Sequence, residues 1–216
     1  MGNLLINVLI SVLSGIIIFV FLLRKRNLKP EEILIPMIAG LCAVFPASLI
    51  GYLLLVKTAS VTGLFKTFID AFVIASFVEE SVKFLTIKIL FSIRKIDNLK
   101  DGIAVAVAVG TGFACLENIM YSFDYSLIVI FRVFSAVPLH IITAGIIGYF
   151  CIKSIQFKKQ QEIKGFGEAF LIHGLYNFLI SLRSFISFTA APLLLWAGYR
   201  LYRLCKEDVE ADTNKA

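Results

Sequence analysis

Apolar residues fall in seven long runs, at about 4–23, 33–56, 67–91, 101–123, 126–152, 166–183 and 185–203. A helix rising 1.5 Å per residue crosses the roughly 30 Å hydrocarbon core in about 20 residues. The runs have that scale, and short polar gaps separate them. The pattern predicts an all-α fold: a polytopic transmembrane helical bundle of about seven spans, forming a single integral-membrane domain over 1–216.

Composition strengthens this reading. Hydrophobic residues make up 59% of the chain, charged residues 17%, and mean hydropathy is +0.89. Soluble domains average roughly 45–50% apolar and about 25% charged residues. Disordered chains, coiled coils and small disulfide scaffolds are excluded. A soluble fold of this size cannot hide so much apolar surface.

Net charge is +6. The basic residues cluster in alternate gaps, as topology demands, and this removes nucleic acid as an expected partner. Arg24, Lys25, Arg26 and Lys29 follow the first run, and Lys88, Arg94, Lys95 and Lys100 flank the end of the third. Lys153, Lys158, Lys159 and Lys164 follow the fifth, and Arg200, Arg203, Lys206 and Lys215 close the chain. Opposite gaps hold only Lys57, Lys66 and Arg183. The expected topology has the N-terminus outside and the C-terminus in the cytoplasm. The four cysteines (Cys42, Cys115, Cys151, Cys205) are scattered and suggest neither disulfides nor a zinc knuckle.

The informative residues are ionisable groups inside the runs. A charge at a helix centre costs about 2.5–3.5 kcal/mol on insertion scales, so it faces the bundle interior and often has a function. The third run carries Glu79, Glu80 and Lys83. Neighbouring glutamates on a helix point about 100° apart and can border one cavity. Two adjoining carboxylates resist ionising together, and a proton-sharing pair suits general acid–base work. Lys83 shares a face with Glu79, so a structural Glu79–Lys83 pair is the competing reading.

The fourth run places Glu117 and Tyr121 on one face, and Asp101 is its expected N-cap. The chain has two histidines, His140 and His173, both in apolar runs. His173 and Asn177 are four apart on one helix face. Pro138 is expected to kink the helix just before His140. Arg132 either snorkels to the outer interface or pairs with Asp124 or Glu117. Counting 1.5 Å per residue puts Glu80, His140 and His173 at about the same depth, ~16–21 Å from the outside, with Glu117 shallower at about 9 Å.

These residues also carry a family resemblance. Phe77-Val-Glu-Glu-Ser-Val-Lys83-Phe84 resembles the E-E-x-x-K motif of PrsW intramembrane proteases. Asp101-Gly102 and Gly112-Phe-Ala-Cys-Leu-Glu117-Asn118-Ile-Met-Tyr121 are similar to their second block. Arg132, Pro138-Leu-His140, Gly145 and Gly148 resemble the third, and Leu171-Ile-His173-Gly174-Leu-Tyr176-Asn177-Phe178 the fourth. The blocks come in the family's order and span nearly the whole chain. PrsW proteins are distant relatives of the type II CAAX prenyl endopeptidases. The resemblance implies a multi-pass bacterial cell-membrane protease. It would make the first, extracytoplasmic-side cut in a single-span anti-sigma factor, so that a sigma factor is released. One departure is Asn177, where several relatives carry aspartate; the CAAX relatives share the asparagine.

Peptide hydrolysis needs an activated water and a stabilised oxyanion. In a metal-free form Glu79 or Glu80 is the base, and His140, His173 and Asn177 orient the water or bind the oxyanion, with Glu117 completing the site. In a metal-dependent form zinc takes two histidines and one glutamate, with Glu80, His140 and His173 as candidates, and another glutamate is the base. The sequence leaves both open. A proton- or ion-coupled transporter would use the same buried Glu, His and Lys residues, though no internal repeat of the transporter kind is evident.

Overall fold

The computed structural model describes the backbone of residues 2–26, 29–124 and 128–213, and side chains over 4–24, 29–123 and 129–206. The described chain is helical throughout, without strands. Helix α1 spans Gly2–Arg26 and α2 spans Pro30–Lys57. The third run is one rod in three parts: α3 (Gly63–Phe68), a π-helical stretch (Ile69–Phe77) and α4 (Val78–Arg94). Next come α5 (Leu99–Asp124), α6 (Ile128–Phe134), α7 (Ala136–Phe157) and α8 (Glu162–Ser181). A 3₁₀ turn (Phe185–Thr189) leads into α9 (Ala190–Thr213). Every apolar run thus became one helix or a succession of helical segments.

Four stretches are long and apolar enough to cross a membrane by length and composition: Leu4–Arg24, Pro30–Lys57, Leu99–Phe123 and Val129–Phe157. Helix α4 has 17 residues and carries Glu79, Glu80 and Lys83 in its first two turns. The outward surface is apolar, with Phe131, Phe134, Phe185 and Leu195 all strongly exposed. Such a surface needs lipid rather than water around it.

Helix α5 is the centre. Of its apolar window 72% is buried, against 22% for α1, so α5 is the axis and α1 the periphery. Its residues enter every hydrophobic cluster: Val105 and Val109 with α4, α7 and α8, Ile103 with α7 and α9, Phe113 with α2, and Ala104 and Ala108 with α1. Small residues make this possible. Gly40 of α2 lies against the Val109 carbonyl, and Gly112 of α5 lies against the Met37 carbonyl of α2. This reciprocal contact leaves no room for a side chain on either glycine, and lets the two backbones touch.

Two local expectations need correction. Asn98, not Asp101, caps α5: its Oδ1 accepts the Asp101 N–H at 2.9 Å, and its amide donates back to the Asp101 carboxylate at 2.7 Å. Both residue types can cap, and the helix begins one turn earlier than the apolar pattern. The fifth run is also not a single kinked helix. Pro138 has no N–H for the Phe134 carbonyl, and its ring excludes that carbonyl. Helix α6 therefore ends at Phe134, Ser135 leaves the helical region (φ −129°, ψ −65°), and α7 starts afresh at Ala136.

Replacing Gly112 with alanine should lower bundle stability by about 1–3 kcal/mol, the usual cost of overpacking. The measurement is the unfolding midpoint in a mixed-micelle SDS titration. An unchanged midpoint would mean that α2 and α5 separate freely at this contact.

Candidate active site

The glutamates sit on the first turn of α4, directly after the π-helical stretch. Ser76 anchors that stretch to α8 by donating to the Phe170 carbonyl at 2.6 Å. Successive helical positions diverge by about 100°, so the two carboxylates part company. Glu80 is fully buried and faces α7 and α8, while Glu79 borders a cavity.

Glu80 is held by three donors on one oxygen. Its Oε1 lies 2.6 Å from Lys83 Nζ, 3.1 Å from Thr143 Oγ1 and 2.5 Å from His173 Nδ1. Lys83 therefore pairs with Glu80, not with Glu79 as helix spacing allowed; positions three apart are neighbours as well. Lys83 also reaches His140 Nδ1 at 3.0 Å. Glu79 Oε2 lies 3.8 Å from His173 Nε2 and is buried without a hydrogen-bond partner among the described residues.

Glu117 joins from α5. His140 Nε2 lies 2.7 Å from its Oε2, and Arg132 Nη2 lies 2.8 Å from the same oxygen. Arg132 also donates to Asn118 at 3.2 Å and stacks on Tyr121 at 3.8 Å. Of the two partners expected for Arg132, Glu117 is the one observed; the Asp124 side chain lies outside the described residues. Glu117 meets His140 directly, although residue counting placed it nearer the outside. The count to His140 assumed one continuous helix, and the break at Ser135 interrupts it.

All six sequence-predicted site residues meet here. A cavity of about 440 Å³ is lined by Glu79, Glu117, Arg132, His140, His173 and Asn177. Glu80 stands behind His173, outside the lining. A second, apolar groove of about 410 Å³ runs between α2, the π-helical stretch and α5, past Ala47, Gly51, Tyr52, Ile74 and Met120. Glu79, Glu117 and Tyr121 border both spaces. Sequence reasoning missed Thr143 and Asn118 as partners. Thr143 lies one turn after His140, which was a usable signal, and Asn118 adjoins Glu117.

The donor set bears on a metal. Glu79, His140 and His173 each offer one ligand atom, all within 4.8 Å of one another. Two histidines and a glutamate are a known catalytic zinc set. The unpartnered Glu79 Oε2 fits a ligand, and the Glu80 carboxylate on His173 Nδ1 is the usual support behind a ligating imidazole. His140 fits with one condition: the hydrogen its Nε2 shares with Glu117 must leave first.

The sequence matches the family model described as PrsW family intramembrane metalloprotease over residues 29–199. The chain belongs to the PrsW family. The Protease PrsW of Oceanobacillus iheyensis is 32% identical over 196 residues, covering 84% of this chain and 87% of that protein. The Protease PrsW of Clostridioides difficile is 29% identical over 84% of this chain and 83% of its own length. That of Bacillus subtilis is 28% identical over 74% and 76%. No solved structure matches the chain. Family membership makes the protein a multi-pass bacterial membrane protease, and the residues its interior brings together are those of the PrsW-like blocks. The transporter alternative falls away.

Replacing Glu80 with glutamine should strand the Lys83 ammonium without a counter-charge. Breaking a fully buried pair from one side costs about 3–5 kcal/mol. The double variant Glu80→Gln, Lys83→Met should recover much of this loss in SDS unfolding. Simple addition of the two single losses would mean that the contact carries no coupling.

Proposed function

We propose that this PrsW-family protein is an intramembrane endopeptidase with Glu79 at the reacting water. The observation that carries the reading is the meeting of Glu79, Glu117, His140 and His173, from four separate helices, at one cavity. A water between Glu79 Oε2 and His173 Nε2 donates a hydrogen bond to each acceptor. Its lone pairs then face a substrate carbonyl, and Glu79 takes the proton as the new bond forms. The Asn177 amide and the Arg132 guanidinium supply positive hydrogens for the oxyanion. Glu80 orients His173 and does not meet substrate.

The convergence of three ligand atoms favours a metal-loaded form of the same site. Bound zinc would polarise the carbonyl and acidify the water. Glu79, His140 and His173 would hold it, and Glu117 would be the carboxylate left to take the water's proton.

The apolar groove beside α2 is the proposed path for the substrate, and the polar cavity beside α8 the path for water. The substrate is a single-span membrane protein, proposed to be an anti-sigma factor cut on its extracytoplasmic side. The charge distribution supports this side. With seven passes and the N-terminus outside, Tyr121 and Arg132 lie toward the outer end of the site.

Wild type in liposomes should cleave at least one member of a panel of membrane-anchored anti-sigma factors, and Glu79→Gln should not. Activity retained in Glu79→Gln would sink the chemistry; no cleavage across the panel would sink the substrate assignment. Asn177→Ala should lower kcat by about 10²-fold, the scale of a lost oxyanion donor. Zinc content and chelator sensitivity of the same samples separate the two forms: one zinc per chain with activity lost on chelation gives the metal form. For topology, a cysteine at Thr62 should label from outside and one at Lys159 only after permeabilisation. The reverse pattern would invert the proposed orientation.

A further inference from the structure

We propose that Lys83 is a positioning residue that, together with Glu80, sets opposite tautomers on the two histidines, making His140 a donor and His173 an acceptor. The inference rests on the proteolytic reading above and deepens it, because it assigns the two imidazoles different work.

A lysine ammonium has three N–H donors and no acceptor. Three acceptors surround Lys83 Nζ: Glu80 Oε1 at 2.6 Å, His140 Nδ1 at 3.0 Å and Thr143 Oγ1 at 3.4 Å. Each donor has one partner. His140 Nδ1 must therefore present its lone pair, which leaves the ring hydrogen on Nε2. That hydrogen points at Glu117 Oε2, 2.7 Å away.

The opposite holds at His173. Its Nδ1 lies 2.5 Å from Glu80 Oε1, a carboxylate oxygen that can only accept. The hydrogen of His173 is thus on Nδ1, and in the neutral ring the Nε2 lone pair faces Glu79 across 3.8 Å. Thr143 ties the two halves: it accepts from Lys83 and donates to Glu80 at 3.1 Å.

The arrangement is sealed. Lys83, Glu80 and Thr143 are 0% exposed and the two histidines 2%. Phe113 packs against the pair, with Lys83 Nζ 5.1 Å from its ring centre and the His140 ring 5.3 Å away. Water cannot substitute for the ammonium. One lysine between two imidazoles is enough to make a symmetric-looking pair unequal in the metal-free site: a ring that accepts from water, and a ring that donates to Glu117.

The test reads the tautomers directly. The chain has only two histidines, so protein labelled with 15N-histidine yields two sets of imidazole signals. Two-bond proton–nitrogen correlations of metal-free wild type in detergent distinguish Nε2–H from Nδ1–H rings. His173→Gln assigns which set is which. We expect His140 as Nε2–H and His173 as Nδ1–H. Lys83→Met should release His140 to the Nδ1–H form or a mixture, and lower kcat about 10–100-fold, as loss of a supporting partner does. The same tautomer on both histidines in wild type, or an unchanged His140 pattern in Lys83→Met, overturns the proposal. If Lys83→Met fails to insert, the wild-type spectrum decides alone. The spectra need no substrate, so failure to find proteolysis would refute the enzymatic reading without touching the tautomer assignment.

Discussion

A charge in hydrocarbon must be answered by an opposite charge or by donors, and the contact between Lys83 and Glu80 at 2.6 Å answers two at once. Neither side chain reaches solvent. Left alone, each would impose a penalty of several kcal/mol on insertion or folding. Held together, they form the hub from which both histidines are oriented. Arg132 and Glu117 repeat the solution at the cavity wall, where partial exposure leaves the acid reachable. The interior therefore sets three carboxylates against two cations, and the reactive one, Glu79, is the carboxylate left without a donor of its own among the described residues.

The bundle delivers these groups through close packing around α5. Gly40, Gly112 and the α5 alanines shorten the distance between backbones, and the inner faces of α4, α7 and α8 then converge. Both breaks in regular helix lie beside the site. The π-helical stretch ends two residues before Glu79, and the α6–α7 junction lies one turn before His140. Irregular backbone at membrane depth is tolerated where it borders a cavity rather than lipid. Here the breaks precede Glu79, Glu80 and His140, while Glu117 and His173 sit on continuous helices.

Much of this was legible beforehand because the bilayer simplifies the grammar. Apolar runs mark helices, and an ionisable residue inside one stands out at once. That logic alone singled out Glu79, Glu80, Glu117, His140 and His173, and all five meet. Counting at 1.5 Å per residue assumes unbroken α-helix, and both the π-helical stretch before Glu80 and the break at Ser135 before His140 depart from it. Pro138 signalled a disturbance but not its extent. The choice between Asn98 and Asp101 as cap was equally ambiguous, since both side chains can accept the same kind of N–H.

The sequence by itself determined the helical class, the lipid-facing character and the identity of the buried polar residues, because hydropathy and charge are local properties that the membrane reads one segment at a time. Which glutamate meets the cavity, which one Lys83 neutralises, and which nitrogen of each histidine carries its proton are relations between helices far apart in the chain. Only the packing of α4 against α5, α7 and α8 decided them, because a hydrogen bond near 3 Å depends on side chains from different segments arriving at one point.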